Sequence, residues 1–311
     1  MIKNFAYKYI YLVYILNNFL IHFCPKIASL EQQSNLPEEF DLRKEYKECK
    51  SLNHIRNQEN CGGCWAFAVA EVISDRICIK SKGKEQPIIS ENELITCCDD
   101  CYENNTKKGC GGGNPGKAFK YWQNTGLPIE SCKPFHKFEE YNESNLNCST
   151  KCEDGSVPIK RYKGSDYRWI ENNTYKIMNE IYVNGSVTAS FEIYGDDFGN
   201  FWHYKRKSEI YSLTPGYELK NPSYHAIKII GWGSEIINGK KEKYWLCVNS
   251  WGTDQNNDGF FKFKRGENHL DIERWVCTGY YDSEIISSNQ ESIIVYEDNF
   301  FNFKNLDEDF M

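Results

Sequence analysis

Fourteen cysteines in 311 residues constrain this chain more than any other feature, and seven of them fall between Cys97 and Cys152. Whether such residues become bridges, metal ligands or reactive thiols depends on the compartment. The N-terminus speaks to that. It reads MIKNFAYKYIYLVYILNNFLIHFCPKIAS: Lys3, an apolar stretch Tyr9–Phe23, then small residues at Ala28 and Ser29. Asn17, Asn18 and His22 leave the stretch too short and too polar to span a bilayer. Residues 1–29 therefore read as a cleaved secretory signal peptide rather than an uncleaved anchor. Cys24 leaves with it. Thirteen cysteines remain, an odd number, so we expect disulfides and at least one unpaired thiol.

The rest of the composition narrows the class. A net charge of −7 with no basic stripe argues against nucleic acid as a partner. An aromatic content of 15% argues against disorder. The length is enough for two cored halves. After a short polar link, residues 30–35, the segment Trp65–Lys80 places Phe67, Ala70, Ile73 and Ile77 at helical spacing behind a Gly62–Gly63 turn. The Cys/Gly/Asn-rich stretch Cys97–Cys152 reads as loop with little regular structure. From Val157 onward SVTASFEIY, HAIKIIGWG, KYWLCVNSW and DGFFKFKRG read as strands. A helical, cystine-rich half, about 45–152, thus precedes a β-rich half, about 153–282. Residues 283–311 form an acidic extension with an aromatic NFFNF cluster. Its composition fits a solvated appendage, with a self-inhibitory role as the alternative.

Cys61 and Cys64, in NQENCGGCWAF, need not do the same work. Cys64 sits at the first turn of the expected helix, where free N–H groups and the helix dipole favour a thiolate. Cys61 lies one turn earlier and suits a disulfide. A redox pair would put the aromatic before the first Cys and sit in a βαβ unit; here Trp65 follows the second. A zinc site would draw on Cys97, Cys98 and Cys101, but no matching histidine pattern accompanies them. A cysteine nucleophile needs a base. His54, His136, His203 and His269 have no distinctive frame, whereas His225 opens the apolar strand HAIKIIGWG. Asn249 ends another, YWLCVNSWG, beside Trp251. An amide can hold an imidazole in one tautomer, and an indole can shield that bond from water.

CGGCWAF, HAIKIIGWG and NSWG, in that order, resemble the papain family of cysteine proteases. Gly63 stands at the family's Ser/Ala position, and His225 follows Cys64 by 161 positions (225 − 64), somewhat more than the usual 130–150 or so. LPEEFDLR, EVISDRICIK, ELITCCDDC, GCGGG, SCKPF, CSTKCEDG and MNEIYVNGSV are similar to the cathepsin B-like branch. The likeness runs over residues 36–280. It implies an α+β papain-like fold, with a helical left domain, a β-barrel-like right domain and the cleft between them, over residues 36–282. It implies Cys64 as nucleophile, His225 as general base, Asn249 as its orienter and Gln58 as oxyanion donor. Gly62, Gly63, Gly112, Gly113, Trp251, Tyr224 and Trp275 would line the substrate site. By family pattern Cys49–Cys78, Cys61–Cys110, Cys97–Cys148, Cys98–Cys101 and Cys132–Cys152 pair. Cys247 and Cys277 have no family counterpart as a pair; we expect an extra disulfide between them, against two buried free thiols. No metal or cofactor is implied. Protein or peptide substrates and cystatin-type inhibitors are the implied partners, for a monomer without stable membrane association in an extracellular or lysosome-like compartment.

Several positions depart from the family. Only residues 30–35 separate the leader from Leu36, too few to fold over a cleft, so we expect either no conventional propeptide or a sequence lacking it. The loop Lys133–Asn147 carries His136 alone, where cathepsin B-like enzymes pair two histidines to grip a substrate carboxylate, so we expect an open primed side and endopeptidase activity. Gln255 and Asn256 replace a Trp and a Gly after NSWG, and Tyr224 replaces a Gly before His225. Trp275 falls where an acidic residue closes the S2 pocket, so we expect loss of arginine at P2 and preference for smaller apolar residues. Asn104, Asn142, Asn147, Asn172 and Asn184 sit in glycosylation frames that suit a secretory route. A catalytically inactive binding protein on this fold and a thiol-disulfide oxidoreductase remain the other readings.

Overall fold

The computed structural model describes residues 36–102, 108–136, 146–157, 159–193, 201, 209–213, 223–254 and 258–282. Residues 1–38 and 39–311 form separate units. Only residues 36–38 of the first are described, and the architecture below belongs to the second. Its elements run β1 (Phe40–Asp41), α1 (Leu42–Glu45), α2 (Cys64–Lys80), α3 (Glu91–Cys97), α4 (Pro115–Thr125), β2 (Asp166–Ile170), α5 (Thr174–Asn184), β3 (Val187–Ile193), β4 (Ile210–Tyr211), β5 (Ser223–Ile237), β6 (Lys240–Val248), β7 (Phe260–Lys264) and β8 (Trp275–Tyr280).

Helix α2 begins at Cys64, and its residues are buried from Trp65 through Ile79. The sequence pattern suggested a single apolar face. The helix is instead enclosed, because α3 and α4 pack on it and so do β5 and β8. Each large side chain such as Phe67, Ile73 or Ile77 contributes about 2 kcal/mol by leaving water. Enclosure also buries Glu71, Asp75 and Arg76, which demands partners. Arg76 donates to Glu180 at 2.9 Å and to the carbonyl of Ser186 at 2.7 Å. Asp75 accepts from Ser186 at 2.8 Å and pairs with Lys228 at 3.0 Å.

Two helices escaped the sequence pattern. α4 lies inside the stretch expected as loop, and α5 inside the half expected as strand. Their signals are local. Asn114 and Asn173 cap them by accepting from Lys117 N and Lys176 N, each at 3.1 Å. Pro115 opens α4. Ala118, Phe119 and Trp122 then bury one face of it.

The eight strands form one sheet in the order β2-β8-β3-β5-β6-β7-β4, with β1 added on β5. Neighbours are antiparallel except β4 and β7, which run parallel. Five disulfides join Cys49–Cys78, Cys61–Cys110, Cys97–Cys148, Cys98–Cys101 and Cys132–Cys152. The sixth does not form: Cys247 and Cys277 are buried free thiols. Cys247 lies on β6 and Cys277 on β8, with β5 and β3 between them. Three strand spacings amount to about 14 Å, twice the roughly 7 Å that a disulfide can bridge.

Candidate active site

The N-terminus of α2 and the start of β5 meet in a cleft of about 550 Å³. Gln58, Cys61, Gly62, Cys64, Trp65 and the loop Cys110–Pro115 line one side. Ser190, Ile193, Tyr224, His225, Ala226 and Trp251 line the other. Cys64 is the one partly accessible free thiol among the described residues. Cys61 is tied to Cys110, so the two cysteines of the CxxC do not pair with each other.

His225 is 4% exposed and Asn249 fully buried. Asn249 Oδ1 lies 2.9 Å from His225 Nε2, which fixes that nitrogen as the donor and leaves Nδ1 as the one free to exchange a proton. Trp251 stacks on the imidazole with centroids 4.7 Å apart and planes 29° apart. Phe191 closes in edge-on at 5.7 Å and Phe201 at a tilt at 6.2 Å. These rings keep water from the His225–Asn249 bond. Gln58 is 5% exposed. Its Nε2 donates to Cys61 O at 2.7 Å, leaving the second N–H of the amide. Its side-chain carbonyl accepts from Ser250 Oγ. Ser250, inside the NSWG motif, and Phe201 were not singled out from the sequence. Ser250 carried a signal in its position between two motif residues; Phe201 carried none.

Electrostatics pull both ways. Burial pushes the Cys64 thiol up, countered by hydrogen bonds from the Ala226, Trp65 and Cys64 backbone. Burial lowers the His225 imidazole to about 4, countered by Asn249. Desolvation alone thus favours the neutral pair. The α2 dipole and the attraction between thiolate and imidazolium favour the charged one. A thiol, an imidazole and an orienting amide in one cleft can perform nucleophilic acyl chemistry.

Glycine is required where backbones close on each other. A Cβ at Gly62 would stand 2.3 Å from Cys110 O, and one at Gly113 2.5 Å from the Trp65 ring. Gly63 precedes α2 as its cap, and Gly112 has φ 104°. Tyr224 is half exposed and donates to Glu192 at 3.3 Å. Trp275 pairs across the ladder with Ser190, and its ring meets Tyr224 edge-on at 6.4 Å. It stands beside the cleft wall behind Tyr224 rather than filling the cleft.

The remaining histidines lie elsewhere. His54 pairs with Glu130 at 3.9 Å and His136 with Glu153 at 3.4 Å. His269 accepts from Leu213 N at 2.8 Å. His203, Gln255, Asn256, Asn104, Asn142, positions 137–145 of the Lys133–Asn147 loop, the leader and the acidic extension fall outside the described residues. Among the described residues no group of three His, Cys, Asp or Glu is placed to hold a metal ion, and no helix is long and apolar enough to cross a membrane.

Comparison with known proteins finds similarity over most of the chain. The family profile described as "Papain family cysteine protease" matches residues 36–280. A gut-specific cysteine proteinase of Caenorhabditis elegans is 38% identical over 272 residues, covering 82% of this chain and 77% of the relative. A cathepsin B-like cysteine proteinase of Schistosoma japonicum is 34% identical over 278 residues, covering 82% and 76%. Among solved structures, proCathepsin B S9 from Trypanosoma congolense superposes with a TM-score of 0.68 at 32% identity, covering 81% of this chain and 80% of its own.

Proposed function

The chain belongs to the papain family of cysteine proteases, cathepsin B-like, with the α+β papain-like fold, and from that premise we propose that it is an endopeptidase acting through Cys64, His225, Asn249 and Gln58. The carrying observation is that Cys64, at the N-terminus of α2, shares a cleft with a His225 held 2.9 Å from Asn249.

The Cys64 thiolate attacks the scissile carbonyl carbon, forming a C–S bond and an oxyanion. The Cys64 backbone N–H and the second N–H of Gln58 Nε2 receive that charge, a pair of fixed donors worth about 3 kcal/mol each in such sites. His225, protonated, gives its proton to the leaving amine as the C–N bond breaks. Water then attacks the thioester while His225 takes its proton, and the C–S bond breaks to release the acid and restore the Cys64 thiolate beside the protonated His225. Asn249 keeps Nε2 engaged so that the other ring nitrogen does the transfer. Trp251 shields that bond. Gly112 and Gly113 leave room for an extended substrate backbone to pair edge-on.

The specificity follows from the departures. His136 alone in its loop leaves the primed side open to internal peptide bonds. Trp275, in place of an acidic residue at the cleft wall, removes the charge that would accept arginine at P2 and favours smaller apolar side chains, while Tyr224, in place of a small residue, acts on leaving-group recognition at the primed side. Protein and peptide substrates, cystatin-type inhibitors, a monomeric state without nucleic acid or stable membrane contact, a leader at 1–29, a linker at 30–35 and a secretory route to an extracellular or lysosome-like compartment complete the proposal.

The test is labelling of the purified protein with an epoxysuccinyl probe, with mass mapping of the adduct. We expect attachment at Cys64, lost in His225→Ala. No adduct in folded protein would sink the reading. An internally quenched peptide assayed against a free C-terminal dipeptide substrate checks the endopeptidase part. Preference for the latter would overturn it.

A further inference from the structure

Three of the large apolar side chains exposed among the described residues gather at one place: Trp169 at 45%, Tyr224 at 48% and Trp275 at 37% exposure. Trp275 meets Trp169 edge-on at 6.2 Å and Tyr224 at 6.4 Å, so the rings form one ledge. It is built from three strands. Trp169 is on the edge strand β2, Trp275 on β8 and Tyr224 on β5. Gly116 lies under the Trp169 ring, where a Cβ would stand 2.5 Å from the indole, so the ledge rests on the first turn of α4. It is continuous with the cleft: Tyr224, Pro115 and Ser190, the ladder partner of Trp275, all line it. Clustered exposed aromatics of this kind mark contact surfaces.

We propose that the C-terminal segment carrying Phe300, Phe301 and Phe303 docks on this ledge within the same molecule. Length permits it. The chain leaves β8 at Tyr280, and β8 itself spans about 17 Å from Trp275. Phe300 lies 18 residues beyond Asp282 (300 − 282), a reach of up to about 60 Å. Chemistry matches as well. The aromatic cluster follows Glu297 and Asp298, in an extension with seven acidic residues and one lysine. On the ledge, Arg274 stacks over Trp275 at 5.0 Å with its side chain 56% exposed. Its contact with Asp271, at 3.4 Å, uses one of five N–H donors. Phenylalanine edges suit the faces of Trp and Tyr, and carboxylates suit the guanidinium beside them. Tethering supplies an effective concentration of about millimolar, so a weak contact suffices. The docking stands without the protease reading.

The test uses the full chain. With a benzoylphenylalanine photo-crosslinker at position 301 in a Cys64→Ser background, which keeps the extension intact, irradiation is expected to give monomer-sized adducts. They should map to peptides holding Trp169, Tyr224 or Trp275, and be lost in Trp169→Ala protein of unchanged melting temperature. Adducts elsewhere, or between two chains, would overturn the proposal.

Discussion

The hydroxyl of Ser250 donates to the side-chain carbonyl of Gln58, 192 positions earlier in the chain. The backbone returns the favour, with Gln58 N donating to Ser250 O at 2.8 Å. Ser250 N in turn donates to Asn249 Oδ1 at 2.9 Å, the same oxygen that holds His225. One serine therefore orients the amide on one wall of the cleft and the imidazole support on the other. Ser250→Ala leaves a buried acceptor unmet and should cost about 1–3 kcal/mol of stability. It should also lower kcat roughly tenfold with little change in KM, since Gln58 loses its fixed aim. Thermal unfolding and steady-state kinetics check both; an unchanged kcat would remove Ser250 from the positioning of Gln58.

Asn249→Ala frees the imidazole to rotate and to change tautomer. Trp251 still covers the ring, so binding should persist. We expect kcat/KM to fall about a hundredfold, the lower range for a misaligned acid–base group. The rate of Cys64 alkylation should fall with it. Normal alkylation and turnover in the variant would show that packing alone aligns His225.

Stability against pH should carry the mark of one buried carboxyl, Glu71. Burial raises Glu71 from 4.5 to about 7; Lys228 and Arg56 pull it down, and Asp75 pushes it up. Its share of stability is full below pH 4.5 and is lost as pH rises through 7, on the order of 3 kcal/mol. In Glu71→Gln that loss is absent, so the unfolding free energy relative to the parent rises by about 3 kcal/mol from pH 4.5 to 7. Urea titrations across that range decide it, and parallel curves for the two proteins would rule Glu71 out.

Thiol counting tests the strand order. Cys64, Cys247 and Cys277 are free, so denatured, unreduced protein lacking residues 1–29 should titrate three thiols. Native protein should titrate only Cys64 quickly, because Cys64 is partly accessible whereas Cys247 and Cys277 are buried. One thiol after denaturation would mean that β6 and β8 are neighbours, contrary to the sheet order.

Gly62→Ala probes the close approach of the two cleft-lining loops. Its Cβ would collide with a backbone carbonyl, that of Cys110, which cannot swing aside as a side chain would. Because the Cys61–Cys110 bridge pins both loops, the strain should pass to the start of α2. A loss of about 1–3 kcal/mol is expected, along with slower labelling of Cys64. Parent-like stability and labelling would show that the loops yield.

Local chemistry was legible in the sequence wherever it depends on neighbours along the chain. The Gly62–Gly63 turn and the apolar spacing after it marked α2, and strand-like runs between Gly, Asn and Lys turns marked β3, β5, β6 and β7, because these signals act within a few residues. α4 was hidden by the Cys/Gly/Asn bias around it, although Asn114 and Pro115 are an ordinary helix start. The pairing of the ten bridged cysteines came from the family likeness, since spacing alone permits many connectivities. Family likeness also put Cys64, His225, Asn249 and Gln58 in one site, while the separation of Cys247 from Cys277 could not be read, because strand order is not written in either strand. By itself, then, the sequence determined the first long helix, the main strands and the residue types able to do the chemistry. Only the tertiary structure decided which distant side chains meet: Ser250 with Gln58, Lys228 with Asp75, Trp169 with Trp275. Such meetings depend on how an enclosed helix and an eight-stranded sheet pack to exclude water, and that packing is settled by the whole chain at once.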